Sequence, residues 1–125
     1  MMTWKQEIFR AVLLAFGIGE IIANITYLIK KNGVDLARKQ HQELPNNTSD
    51  TMIKTKVICM LIVGIIFFIV LSISYISHSY SNTMMLISLI LFSIYGIGEA
   101  LYYKYWKTIG FAIVTLILLS IYIFF

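Results

Sequence analysis

The sequence predicts an all-α integral membrane protein with four transmembrane helices, in a single membrane domain over residues 1–125. The chain is 59% hydrophobic and only 13% charged, whereas a soluble domain carries about 25% charged residues. A stretch of about 20 apolar residues suffices to cross the hydrocarbon core of a bilayer as a helix. Four stretches of about that length occur, and they cover residues 11–29, 57–77, 83–103 and 108–125.

These four stretches are predicted to be helices rather than strands. None of them contains Lys, Arg or Pro. A membrane barrel would alternate polar and apolar residues in segments of about ten, and the run Ile65–Leu71 shows no alternation. Open strands would leave backbone groups unpaired in lipid. A cleaved signal peptide over residues 1–23 is disfavoured, because Glu20 interrupts its apolar stretch.

The distribution of basic residues predicts which loops face the cytoplasm. The segment 30–56 holds six Lys or Arg residues and the turn before residue 108 holds two more, whereas the opposite side holds only Lys5 and Arg10. By the positive-inside rule, the long loop 30–56 is cytoplasmic and both termini are extracytoplasmic. The predicted location is therefore the cell membrane, with several passes, and the lipid bilayer is a predicted partner.

The long loop contains a pattern typical of a short helix. Val34, Ala37, His41 and Leu44 recur at helical spacing, and Pro45 ends the pattern. Such a helix could lie on anionic headgroups or dock a partner. The simpler interpretation, which we favour, is a solvated connector whose cations only set the topology.

Several other functions are not expected from the residues present. Most Tyr and Trp residues lie near the ends of the predicted spans, where aromatic residues anchor a protein at the membrane interface. Nucleic-acid binding is therefore not expected, despite the net charge of +4. His41 and His78 stand apart and Cys59 is the single cysteine, so we expect neither a metal site nor a cofactor. Without a nucleophile elbow, a phosphate loop or a dinucleotide motif, we do not expect an enzyme.

The tetrapeptide Gly-Ile-Gly-Glu occurs twice, at residues 17–20 and 96–99. Residues 13–27 align with residues 92–106 without a gap. If this alignment reflects a duplication, spans one and two form one helical hairpin and spans three and four form a second, related to the first as a parallel repeat. The alternative is a chance similarity in an isoleucine-rich chain.

Each copy of the motif places a carboxylate inside a predicted span, Glu20 in the first and Glu99 in the third. An ionisable group at the centre of a membrane helix costs about 2.5–3.5 kcal/mol. No predicted span contains a basic residue that could neutralise these acids, which leaves protonation, a bound cation or a water-filled cavity. We therefore predict a proton- or ligand-binding site from residues that share the two helix faces, namely Glu20, Glu99, Asn24, Tyr95 and Tyr103.

The glycines of the motif are candidate helix-packing residues, because small side chains let membrane helices approach closely. We expect Gly17 and Gly96 to bring spans one and three together and turn both carboxylates inward. Gly19 and Gly98 belong to the same predicted packing set.

A purely topological role for the second glutamate is the alternative. Glu20 lies near the middle of its predicted span, but Glu99 lies near the cytoplasmic end of its own. There Glu99 could pair with Lys30, Lys31 or Lys104, whose long side chains reach the interface.

In size, in its four predicted helices and in Glu20 of the first helix, the chain resembles the small multidrug resistance transporters. That resemblance implies a glutamate in each subunit of a dimer that binds a proton or a cationic drug. The cytoplasmic loop is much longer here, and Glu99 has no expected counterpart. The sequence therefore predicts a proton- or cation-coupled transporter, acting as a homodimer or within a membrane complex. The alternative is a non-transporting accessory subunit or a bacteriocin-type immunity protein.

Overall fold

The computed structural model describes residues 3–125, which fold into five α-helices with no β-strand in that range. Residues 1 and 2 of the predicted domain lie outside the described range. Four helices are long and apolar enough to cross a membrane, which confirms the predicted all-α class and the number of candidate spans. The helices are α1 (Trp4–Ile29), α2 (Gly33–Gln40), α3 (Asp50–Ile76), α4 (Asn82–Tyr103) and α5 (Trp106–Phe124).

Two of the long helices begin earlier than hydropathy predicts, because side-chain caps set their N-termini. The Thr3 hydroxyl accepts a hydrogen bond from the Gln6 backbone N–H at 3.2 Å and completes a capping box. Ser49 caps α3 by accepting from a backbone N–H three residues ahead at 3.3 Å. A cap of this kind contributes about 1 kcal/mol. The predicted loop 30–56 therefore ends too late, since Lys56 is a helical residue of α3.

The four long helices pack as two hairpins. α1 packs mainly on α3 and α4 mainly on α5, with fewer contacts between these pairs. A Cβ atom at Gly17 would lie 2.9 Å from the carbonyl oxygen of Gly64 on α3, and one at Gly96 would lie 3.0 Å from Thr115 Oγ1 on α5. Both glycines thus bring together the helices of their own hairpin, and not spans one and three as predicted.

The second glycine of each motif lies on an open surface. A Cβ atom added at Gly19 or at Gly98 meets no atom within 4 Å in the described part of the chain. Their predicted packing role is therefore not fulfilled by another helix of this chain.

An aromatic cluster joins all four long helices near the middle of the bundle. Phe16, Phe67, Phe92 and Phe111 come from α1, α3, α4 and α5, and their ring centres are 5.6 to 6.1 Å apart in neighbouring pairs. Three of these pairs are edge-on, an arrangement that contributes about 0.5–1.5 kcal/mol each beyond burial, and the Phe16–Phe92 pair is tilted. This cluster ties the two hairpins together where backbone contacts between them are few.

The long loop folds back onto the bundle. As predicted, a short helix forms in it, but the helix ends at Gln40, before Pro45, so that of the predicted apolar face only Val34 and Ala37 are helical. His41 and Leu44 are buried beyond the end of the helix. Ala37 and Leu44 pack against Ile53 and Val57 of α3 in a second apolar cluster. The favoured interpretation of the loop as a solvated connector is therefore wrong.

Candidate functional site

The predicted site residues lie at the end of the bundle that carries α2, which we call the loop end. Glu20 and Asn24 are one turn apart on α1, and Asn24 is fully buried. Asn24 Nδ2 donates to Glu20 Oε2 and to the Glu20 backbone oxygen, both at 2.7 Å. A flipped amide would put Asn24 Oδ1 against two acceptors, so the orientation of this amide is fixed. Its oxygen must then face a donor.

The end of α2 supplies a second partner for Glu20. Gln40 Nε2 donates to Glu20 Oε1 at 3.3 Å, and the side-chain oxygen of Gln40 accepts a hydrogen bond from the Tyr27 hydroxyl. Each carboxyl oxygen of Glu20 therefore accepts from an amide, and a proton or cation bound there would compete with these donors for lone pairs and reduce the negative charge that strengthens their hydrogen bonds. Among residues 3–125, no basic side chain lies within 4.0 Å of this carboxylate.

His41 follows α2 and connects Asn24 to the next carboxylate. Its Nε2 lies 3.3 Å from Asn24 Oδ1, and its Nδ1 lies 3.6 Å from Glu43 Oε1. Both neighbouring atoms are acceptors, and the His41 side chain is only 4% exposed. Because Asn24 Oδ1 can only accept, His41 Nε2 is the donor in this hydrogen bond, and Nδ1 faces the Glu43 carboxylate from just beyond hydrogen-bond distance.

Glu43 links His41 to Lys56, whose Nζ lies 2.9 Å from Glu43 Oε1. Burial favours the neutral form of the Glu43 carboxyl. The neighbouring His41 side chain and the positive charge of Lys56 outweigh burial and lower the Glu43 pKa from 4.5 to about 2. Glu43 is therefore ionised at neutral pH, and its carboxylate pairs with the Lys56 ammonium group.

Lys56 also forms a buried ion pair with the second motif glutamate. Its Nζ lies 2.8 and 3.0 Å from the two carboxyl oxygens of Glu99, and the two side chains are 2% and 4% exposed. The prediction that no basic residue neutralises the motif acids is therefore wrong for Glu99, because α3 begins before Lys56. The alternative prediction paired Glu99 with Lys30, Lys31 or Lys104. Glu99 does pair with a lysine, but that lysine is Lys56.

Tyr95 and Tyr103, the other predicted residues, lie beside this ion pair. With Lys56 and Glu99 they line a cleft of about 130 Å³ between α3 and α4. Lys56 Nζ also lies 5.0 Å from the centre of the Tyr95 ring and 4.3 Å from that of Phe111, within cation–π range. Pockets for drug-sized ligands measure about 300–1,000 Å³, so this cleft suits a small ion or a few water molecules.

The two motif glutamates are thus the ends of one polar chain that crosses between the hairpins. Its five links measure 2.7 to 3.6 Å. Lys56 pairs with Glu43 and Glu99 at one end, whereas Glu20, at the α1 end, has no basic side chain within 4.0 Å among residues 3–125. In order, the chain is Glu20, Asn24, His41, Glu43, Lys56 and Glu99.

The sequence pattern found the ends of this chain but not its middle. Glu20 and Asn24 come together as predicted, and Glu99 lies with the two tyrosines, but no direct contact joins these two groups. The position of His41 in the sequence could have indicated its role, because a polar residue on the apolar face of a predicted helix needs a buried hydrogen-bond partner. Glu43 and Lys56 carried no comparable signal, because both were assigned to solvent-exposed loop.

Comparison of the chain with protein-family models, with curated proteins and with solved structures found no significant match. The resemblance to the small multidrug resistance transporters therefore rests on helix number, size and Glu20. A functional proposal depends on the chemistry of the polar chain itself.

Proposed function

We propose that this chain is a small multi-pass protein of the cell membrane that transports a proton or another small cation, with Glu20 as the binding group. Four helices of spanning length and apolar composition support the membrane placement. The proposed orientation has extracytoplasmic termini and a cytoplasmic loop end, as the basic residues indicate. We assign the protein no catalytic activity.

The observation that carries this proposal is the difference between the two motif glutamates. Glu99 is neutralised by Lys56 at 2.8 Å, and it therefore has no need of an outside cation. Among residues 3–125, the side chains that donate to the Glu20 carboxylate are the amides of Asn24 and Gln40, although Glu20 lies within an apolar helix. Intramembrane carboxylates without a basic partner typically mark a proton or ion pathway.

The polar chain supplies a means of coupling Glu20 to the arrangement of the helices. A proton or cation at Glu20 competes with the Asn24 amide, and the oxygen of that amide is the acceptor for His41 Nε2. Displacement of Asn24 would therefore move His41 relative to Glu43. Because Glu43 pairs with Lys56, this movement would also change the position of Lys56. In this mechanism, occupancy of Glu20 loosens or tightens the link between the hairpins at the loop end.

The test is cation flux in proteoliposomes that contain the purified protein and a trapped pH-sensitive dye. Under an imposed membrane potential, the wild-type protein should move protons, and Glu20→Gln should reduce the flux to that of empty vesicles. Glu7→Gln is the matched control, because Glu7 is an exposed acid near the start of the same helix, and it should leave flux unchanged. Full flux through Glu20→Gln would remove the basis of the proposal.

Assembly as a homodimer, or as part of a membrane complex, is also proposed, because a bundle of four helices encloses little volume. Native mass spectrometry of the detergent-solubilised protein measures this directly. A mass of two chains supports the homodimer, and a monomer that retains flux contradicts it.

A non-transporting role, as an accessory subunit or an immunity protein, is favoured by a different observation. The ion pair of Lys56 and Glu99 fixes the loop end, and the cleft beside it is small. In that role, the open surfaces at Gly19 and Gly98 would bind a partner helix. Co-purification of one larger membrane protein at fixed stoichiometry, together with the absence of flux, would support this second function.

A further inference from the structure

A second cleft, separate from the polar chain, lies where the end of α1, the start of α2 and the first turns of α3 meet. Its volume is about 250 Å³. Three lysines line it, Lys30 and Lys31 from the segment after α1 and Lys54 from α3. The rest of its wall is largely apolar and includes Val34 and Val57. We call it the lysine cleft.

The three lysines are exposed. Among residues 3–125, none of them has a carboxylate within 4.0 Å, and no acidic residue lines the cleft. Of the acids at the loop end, Asp50 pairs with Arg38, Glu43 pairs with Lys56, and Asp35 lines a different cleft. The lining of the cleft therefore contains three lysines and no acidic residue.

The shape of the cleft fits an amphipathic anion better than a simple one. Its apolar lining includes Ile53 and Val57, which are buried, and Leu28, which is half exposed on α1. These residues continue into the apolar surfaces of the candidate spans, where acyl chains would lie. A phosphate held by the lysines would place its attached glycerol and chains along this apolar wall.

We propose that the lysine cleft binds the phosphate group of an anionic phospholipid from the cytoplasmic leaflet. This inference rests on the proposed membrane placement but not on the proposed transport. Lysine binds phosphate as a point charge without a fixed geometry, which suits three flexible side chains around one headgroup. A zwitterionic lipid carries a compensating ammonium group that the three lysines repel.

Native mass spectrometry of the protein in neutral detergent tests this site directly. Titration with phosphatidylglycerol should give one tightly retained lipid, and phosphatidylcholine should give none. The triple variant Lys30→Gln, Lys31→Gln, Lys54→Gln should bind phosphatidylglycerol about 100-fold more weakly, since each lysine strengthens binding about fivefold. The single variants Lys30→Gln and Lys54→Gln should each weaken phosphatidylglycerol binding about fivefold. They test the same site if the triple variant does not fold.

The matched control removes the same charge from the same end of the bundle. Lys39→Gln, Lys104→Gln and Lys107→Gln together should leave the retained lipid in place, because these lysines lie outside the cleft. Equal loss in this control would show non-specific attraction and overturn the proposal. Displacement of the lipid by millimolar inorganic phosphate would identify a soluble anion as the ligand and would also overturn it. Glu20→Gln should bind lipid normally, so failure of transport and failure of this site are distinguishable.

Discussion

Removal of the Lys56 charge should destabilise the protein more than any other single change at the loop end. Lys56 is 2% exposed and faces Glu43 and Glu99, which are 22% and 4% exposed. Two unit charges about 3 Å apart attract by about 5 kcal/mol at an effective dielectric constant of about 20, and desolvation offsets much of this. Loss of one partner from a buried pair costs about 3–5 kcal/mol, because the remaining charge stays buried. We expect that cost for Lys56→Met, in which methionine fills most of the space.

The assay is equilibrium unfolding in a neutral detergent, followed by circular dichroism at neutral pH. The double variant Lys56→Met/Glu99→Gln should recover at least about 1 kcal/mol relative to Lys56→Met, since it removes the buried Glu99 charge and leaves only Glu43, which is 22% exposed and lies beside His41. Lys39→Met, at an exposed position of α2, is the control and should change the free energy of unfolding by no more than about 0.5 kcal/mol. Equal stability of Lys56→Met and Lys39→Met would refute the buried ion pair.

Two further predictions concern the loop and the helix contacts. The Glu43 pKa is lowered to about 2 from 4.5, so its contribution of about 3 kcal/mol should be present above pH 4.5 and be lost as pH falls towards 2. Acid unfolding curves should show this loss in the wild-type protein and in Asp35→Asn but not in Glu43→Gln. Gly17→Ala should cost about 1–3 kcal/mol, because the new Cβ would lie 2.9 Å from the Gly64 backbone oxygen. Gly19→Ala should instead stabilise α1 by about 0.5–1 kcal/mol; equal effects of these two alanines on thermal unfolding would contradict the described packing.

Hydropathy predicted the long helices well because spanning length and apolar composition are local properties of the sequence. It misplaced the start of α3, because a hydropathy window stops at the first charged residues whereas the helix begins at its Ser49 cap. That error hid Lys56, and with it the partner of Glu99. Local hydropathy contains no information on whether a lysine near a span end points to water or into the bundle.

The site residues were predictable only where the sequence repeats. The motif identified Glu20 and Glu99, and helical spacing added Asn24. The choice of helix partner for each motif glycine was not predictable, since a small residue permits close approach to any neighbour. The middle of the polar chain depends on how the loop folds back, and that is set by burial of Ala37 and its apolar neighbours rather than by any motif.

A double-variant cycle between Glu20 and Glu99 tests most directly whether one polar chain joins the two motif copies. The free energy of unfolding is measured for Glu20→Gln, Glu99→Gln and the double variant. The two side chains share no direct contact, so without a connecting network their effects should add to within about 0.3–0.5 kcal/mol. We predict a coupling energy above about 0.5 kcal/mol, which disappears when His41→Leu interrupts the chain. Additive effects in the otherwise wild-type protein would contradict the proposed connection.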